Sequence, residues 1–186
     1  MQQQKNVRRA TPDEAGWIVD LSARVQAALS AVGSLQVIGP LPMGRVQSAA
    51  EAGYAYLLEV DGQRVGSVLV EPLPDNSPFL DAWQLRALPA PVWFLSKLML
   101  EPGEQSKGFG LDFLAGVKEL VTPAAGTILL DCWAGSDGLR DFYRRADFTM
   151  HGVFPFEDFE VAVFRYTPLS KPRHDLGNTD VQYPLQ

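Results

Sequence analysis

The sequence predicts an α/β domain in which strands and amphipathic helices are interleaved, and three stretches carry that reading. Trp93–Leu100 is rich in aromatic and aliphatic residues and long enough for one strand. After it, Phe113, Leu114, Val117, Leu120 and Val121 fall at the spacing of one helical face. Tyr54–Val60 and Arg64–Glu71 flank Asp61-Gly62-Gln63. Asp-Gly between apolar runs is a strong hairpin signal, because glycine accepts the positive φ of a tight turn. Finally, Thr127–Trp133 reads as a strand, and Leu139, Phe142, Tyr143 and Ala146 then repeat at helical spacing.

The other elements follow in chain order. Asn6–Ala10 is a candidate first strand. Thr11-Pro12-Asp13-Glu14 combines a capping residue, a proline suited to the first helical position and a glutamate that completes a capping box. Ile18, Leu21, Val25 and Leu29 continue that helix on one face, and Gly33 ends it. Gly39, Pro40, Pro42 and Gly44 interrupt regular structure before a short helix over Val46–Ala52. Pro72–Pro91 is a proline-punctuated run containing Phe79, Trp83 and Leu85, expected to lack regular structure and read as a lid or wall over a substrate, or as a surface flap or dimer contact. Pro102 stops the central strand and Pro123 ends the helix after it. Ser136 or Asp137 is placed to cap the next helix, and Phe148–Phe154 and Phe159–Tyr166 are two closing strands. Residues 1–168 are read as one domain and 169–186 as a polar C-terminal tail.

Composition narrows the function. The chain has 186 residues, nearly half of them hydrophobic, and a net charge of −6. An acidic balance argues against a nucleic-acid surface. No run approaches the ~20 apolar residues of a membrane span. Met1–Lys5 lacks the apolar segment of a secretory signal, and the lone Cys132 has no partner for an internal disulfide, so a cytoplasmic location is expected. One cysteine and two histidines, His151 and His174, form no metal-ligand cluster. A Cys–His hydrolase is equally disfavoured.

Between the central strand and its helix lies Gln105-Ser106-Lys107-Gly108-Phe109-Gly110. The first N–H groups of a helix have no internal partner and carry the positive end of the helix dipole. A glycine-lined helix start is therefore a candidate anion site, to which Lys107 can add a full charge. The alternative is a plain strand-to-helix turn whose glycines serve geometry alone.

Leu100-Glu101-Pro102 followed by Gln105-x-x-Gly108-x-Gly110 resembles the acyl-CoA signature of the GNAT superfamily of N-acetyltransferases, V-x-P then Q/R-x-x-G-x-G/A. Leu130-Asp131-Cys132-Trp133-Ala134-Gly135-Ser136 with Leu139, Phe142, Tyr143 and Phe148 resembles that superfamily's second motif, L-x-V-x-x-x-N-x-x-A-x-x-L/F-Y-x-x-x-G-F. Tyr143 and Phe148 fall in register. Leu100, Cys132, Ser136, Leu139 and Asp147 depart from it, standing where valine, valine, asparagine, alanine and glycine are usual. The resemblance spans roughly residues 6–168 and is most specific over 93–148.

The resemblance implies a GNAT acyl-CoA N-acyltransferase fold, with a mixed, mostly antiparallel sheet flanked by helices and acetyl-CoA as co-substrate. Leu98, Met99 and Leu100 would contact the coenzyme along the strand. Gln105, Ser106, Lys107, Gly108, Phe109 and Gly110 would cradle its pyrophosphate, with Ser136 and Phe142 as further contacts. Tyr143 would be the catalytic acid, donating a proton to the departing CoA thiolate. A phenol's unperturbed pKa of ~10 keeps that proton in place at neutral pH. The linker between the first two helices would form one wall of the acceptor site. Glu71 and Asp81 are candidate bases for the acceptor amine, a water relay being the alternative, and Trp83 is a candidate acceptor contact. Glu101 is too near the pyrophosphate loop to be preferred. Small-molecule and peptide amines both remain open as acceptors, and a homodimer is compatible. A non-catalytic CoA-binding module, or an interaction protein with no coenzyme, are the rival readings.

Overall fold

The computed structural model describes residues 3–168 with the exception of Arg86. The apolar runs become seven strands: β1 (Lys5–Arg9), β2 (Ala55–Val60), β3 (Gln63–Pro72), β4 (Val92–Leu100), β5 (Thr127–Trp133), β6 (Thr149–Phe156) and β7 (Phe159–Tyr166). They form one sheet in the order β1-β2-β3-β4-β5-β7-β6. Every neighbouring pair is antiparallel except β4–β5, which is parallel. The β2–β3 hairpin turns on Asp61 and Gly62, both at positive φ (49° and 79°), the geometry that matches the twist of the flanking strands. The mixed, mostly antiparallel sheet expected from the sequence is therefore present.

Two helices cover one face of the sheet. The long one, α1 (Ala15–Ala31), follows a 3₁₀ turn at Pro12–Glu14, where the Thr11 N–H donates to the Glu14 carboxylate at 2.9 Å. At its far end Gly33 donates to the Ser30 carbonyl and Ser34 to the Leu29 carbonyl, satisfying groups the helix leaves open. The second helix, α2 (Met43–Glu51), begins three residues earlier than its apolar pattern indicates. Ile18, Leu21 and Val46 on these helices pack with Leu57, Leu69 and Met99 of the sheet. The short α3 (Pro78–Ala82) lies within the proline-rich insertion, which is thus not without regular structure. Pro78 takes the first position of this short helix, and Trp83 closes it.

The opposite face carries α4 (Phe109–Val121) and α5 (Asp137–Arg145). Phe113, Leu114, Val117 and Val121 are buried as their spacing predicts, but Leu120 is 41% exposed. Lys118 takes the buried place instead. Its ammonium donates to the Ala146 carbonyl at 2.7 Å and sits 4.5 Å from the Tyr166 ring centroid, so its stem covers apolar surface while its charge stays partnered. That bond ties α4 to the end of α5. The tail over 169–186, with His174, lies outside the described residues.

Candidate functional site

The site begins where the parallel pair separates. Ladder pairing joins β4 to β5 only at Val92–Thr127, Trp93–Ile128 and Phe94–Leu129. Beyond Phe94 the two strands part, and the β5-facing backbone groups of 95–100 have no strand partner. On its other edge β4 carries a bulge. Ser67 pairs with Met99 and Leu69 with Ser96, so the intervening stretch of β4 holds one extra residue. Lys97 sits in that stretch at φ +56°. The bulge flips the pleat, turning Met99 onto the α1 face while Leu98 and Leu100 pack against the α4 side.

A cavity of about 390 Å³ occupies the opening. Leu98, Met99 and Leu100 line it from β4, Phe142 and Tyr143 from α5, and Val25 from α1. Gln105, Ser106, Gly108 and Gly110 form its polar end. Gly108 adopts φ +85°, a left-handed conformation in which an L side chain is strained, and a Cβ placed there would meet nothing within 4 Å. The bend is thus open rather than plugged. None of the backbone N–H groups from Gln105 to Gly110 donates to another described residue. Orphan donors at the positive end of a helix, facing an open concavity, suit an anion. Gly110 serves packing instead, since a Cβ there would come within 2.9 Å of the Phe142 ring.

Three of the expected coenzyme contacts stand apart from this cavity. The Lys107 ammonium is drawn to Glu104 at 2.9 Å. The Phe109 ring is 2% exposed and belongs to the core, so only its backbone faces the bend. Ser136 uses its hydroxyl oxygen to cap α5, accepting from the Leu139 N–H at 3.3 Å. Glu101, disfavoured by the sequence, pairs with Arg24 at 2.6 Å and ties α1 to the loop. Sequence reasoning missed Arg145, which lines the first cavity with no ion pair among the described residues. Its only signal was a basic residue in the last turn of a helix, which usually answers the helix dipole.

Tyr143 is buried among Phe142, Phe148 and Phe164, with ring centroids 5.1, 6.2 and 5.7 Å away. Its hydroxyl has no hydrogen-bond partner among the described residues. Burial, reinforced by Cys132 and Asp131, holds its pKa well above the usual phenol range. The phenol is therefore protonated throughout the physiological range.

A second cavity, of about 440 Å³, opens on the other side of the gap. Gln36, Ile38, Leu98 and Tyr143 line both cavities and so form the wall between them. The linker part of that wall is held by two residues of α1. The Gln26 side-chain oxygen accepts from the Ile38 and Gly39 N–H groups, and the Ser22 hydroxyl accepts from Leu41 at 2.9 Å. Lys97 donates to the Val37 carbonyl at 2.9 Å. Phe79 and Trp83 of the insertion, Phe94 of β4 and Asp131 and Trp133 of β5 line the rest. His151 fixes the insertion, its ring N–H donating to the Trp83 carbonyl at 2.9 Å.

Of the residues expected to serve an acceptor, only Trp83 lines this cavity. Glu71 lies off it, held by both Arg45 nitrogens. Asp81 borders a shallow depression on the outer side of the insertion, beside Leu85 and Val92. The carboxylate that the fold does bring into the cavity is Asp131, hidden in the sequence because it sits inside an apolar strand. Burial raises its pKa, and the nearby Lys97 cation pulls it back down. Cys132 beside it has its thiol pushed up to about 12, chiefly by burial, so it stays neutral and unreactive. Among the described residues, no group of three or more His, Cys, Asp or Glu side chains is placed to hold a metal ion. No described helix is long and apolar enough to cross a membrane.

No family model and no curated protein matches this chain. Solved structures do. A GNAT-family acetyltransferase from Listeria monocytogenes superposes with a TM-score of 0.71 at 20% identity, covering 88% of this chain and 95% of its own. One from Streptococcus agalactiae gives 0.71 at 14% identity, covering 89% and 96%. YncA of Salmonella typhimurium, determined with its cofactor acetyl-CoA, gives 0.63 at 12% identity, covering 93% and 99%. The chain thus has the GNAT acyl-CoA N-acyltransferase fold.

Proposed function

We propose that this protein is an N-acetyltransferase that moves the acetyl group of acetyl-CoA to a primary amine. The observation that carries the proposal is the shared wall. Tyr143, an unpartnered and protonated phenol, stands between a cavity with an open anion cradle and a second cavity suited to another reactant. The fit to the coenzyme rests on features of this chain. The free N–H groups around Gly108 suit a pyrophosphate, and Leu98, Met99 and Leu100 offer an apolar track for the pantetheine. Arg145 is placed to meet a phosphate at the rim.

Acetyl-CoA supplies an activated thioester, and the chain's residues do the remaining work. The unpaired backbone groups of β4 beyond Phe94 offer hydrogen bonds to the thioester carbonyl as negative charge develops on its oxygen. The amine nitrogen bonds to the carbonyl carbon, the carbon–sulfur bond breaks, and the Tyr143 hydroxyl delivers its proton to the leaving thiolate. Phe142, Phe148 and Phe164 hold the phenol in place and exclude water around it. Holding both reactants at the gap contributes much of the remaining rate.

The test is a panel of amines incubated with acetyl-CoA, with release of free thiol as the readout. Amine-dependent thiol release supports the proposal. Tight coenzyme binding with no turnover across a broad panel favours a regulatory CoA-binding module instead.

A further inference from the structure

The second cavity has features that acetyl transfer alone does not require. Phe79 lies 5.0 Å from Trp83 and 6.2 Å from Phe94, with interplanar angles of 22° and 11°. The three rings pack on one another as one apolar wall, Trp83 tilted by 33° to Phe94 at 5.9 Å. Trp83 is 2% exposed and anchors it in a small core with Leu129, Val161 and Val163. Phe79 and Phe156 are 37% and 36% exposed, which places them at the mouth. Large aromatic rings left open to solvent in a concave site mark a binding surface.

The charges in that cavity are few. Asp131 comes from β5, Lys97 from the β4 bulge and Glu157 from the exposed turn between β6 and β7. Lys97 is committed to the Val37 carbonyl, and burial lowers its pKa while Asp131 opposes that change. Tyr143 and Cys132, the other titratable groups there, are neutral at pH 7. Inside the cavity a polycation would have to set its second charge near Lys97 or against the rings, the other carboxylate, Glu157, lying out at the exposed turn. The one carboxylate set inside the cavity, the half-buried Asp131, matches one ammonium group.

Resting on the acetyl transfer proposed above, we infer that the acceptor is a primary monoamine with an aromatic or bulky apolar body, seated against Phe79 and Phe94, which Trp83 backs, with its amine at Asp131. Asp131 takes one proton from the ammonium, freeing the nitrogen lone pair for attack. A second nitrogen proton is lost as the amide forms. Tyr143 passes one proton to the thiolate and regains the one the nitrogen sheds. Asp131 returns its proton to solvent through the mouth of the cavity. One proton is released per acetyl group moved.

The experiment compares phenethylamine with spermidine and glycinamide as acceptors, by thiol release from acetyl-CoA, with coenzyme affinity measured separately by calorimetry. Phenethylamine should show the highest kcat/KM by at least about ten-fold. Phe79→Ala, at an exposed position, should raise the phenethylamine KM about ten-fold, one ring contact's worth, and leave the acetyl-CoA KM unchanged. Asp131→Asn should lower kcat/KM at pH 7 by about a hundred-fold. That loss should shrink toward the amine's own pKa, where the free base needs no proton acceptor. Preference for spermidine or glycinamide, with coenzyme bound and turned over, overturns the acceptor class and leaves acetyl transfer standing. No binding of acetyl-CoA overturns both.

Discussion

Removing one oxygen atom tests the chemistry of the site. In Tyr143→Phe the ring keeps its neighbours Phe142, Phe148 and Phe164, and no hydrogen bond is lost, because the hydroxyl has no partner among the described residues. Deleting an unpaired hydroxyl that opens onto the cavities is close to neutral for folding, so the melting temperature should stay within about a degree or two. Acetyl-CoA affinity should hold as well, since the contacts proposed for the coenzyme are the β4 backbone and the Gly108 bend. The loss falls on kcat. A positioned general acid is worth about 10²–10⁴-fold, or about 3–5 kcal/mol of barrier. Because burial raises the phenol's pKa, wild-type kcat should show no alkaline fall from this group up to about pH 10. The assay is steady-state thiol release with saturating coenzyme, alongside calorimetry and thermal melts of both proteins. Unchanged kcat in a folded, coenzyme-binding variant would remove Tyr143 from the mechanism.

Three further outcomes test other parts of the structure. Arg8 contacts Glu14 at 2.7 Å and Glu59 at 2.6 Å, holding the Glu14 carboxyl down from 4.5 to about 2. A depressed carboxyl stabilises the fold above its unfolded pKa, so this contribution is complete above about pH 4.5 and fades toward pH 2. Arg8→Met should therefore cost about 1–2 kcal/mol at pH 7, after allowance for partial exposure, with most of the deficit gone by pH 2 in urea titrations. Lys118→Ala should cost about 1–3 kcal/mol in denaturant unfolding, because it leaves the Ala146 carbonyl without its ammonium donor. Trp83→Ala should cost about 3–5 kcal/mol by the same measurement, since the ring is 2% exposed in a packed cluster. A small loss there would mean that the insertion is only loosely seated.

Much of the fold was legible because local signals agreed with one another. Asp61-Gly62 fixed the hairpin, Thr11 and Glu14 fixed the first helix start, and Thr127–Trp133 emerged as a strand with its predicted bounds. Leu120 and Lys118 exchanged places because periodicity counts apolar residues and cannot see a buried carbonyl waiting for an ammonium donor. In the insertion, proline spacing hid a helical turn, while Trp83 packs against the core as the flap reading expects. The open bend proposed for the coenzyme was legible because glycines and a helix start lie together in sequence. The acceptor side was not. Phe79, Phe94, Asp131 and Phe156 come from four distant stretches, and only the parting of β4 from β5 gathers them. Glu71 looked available as a base until Arg45 arrived from α2, and no spacing in the sequence joins those two residues.

The central claim is that the free backbone donors at the Gly108 bend hold the diphosphate of a coenzyme. Titrating acetyl-CoA into the wild-type chain and into Gly108→Val by calorimetry tests it most directly. The substitution places a branched side chain at φ +85° and into open space that the ligand would fill. The account predicts saturable wild-type binding with a dissociation constant below about 100 µM, weakened by at least about ten-fold in a folded variant. Equal affinity in the two proteins, or no binding to the wild type, would contradict it.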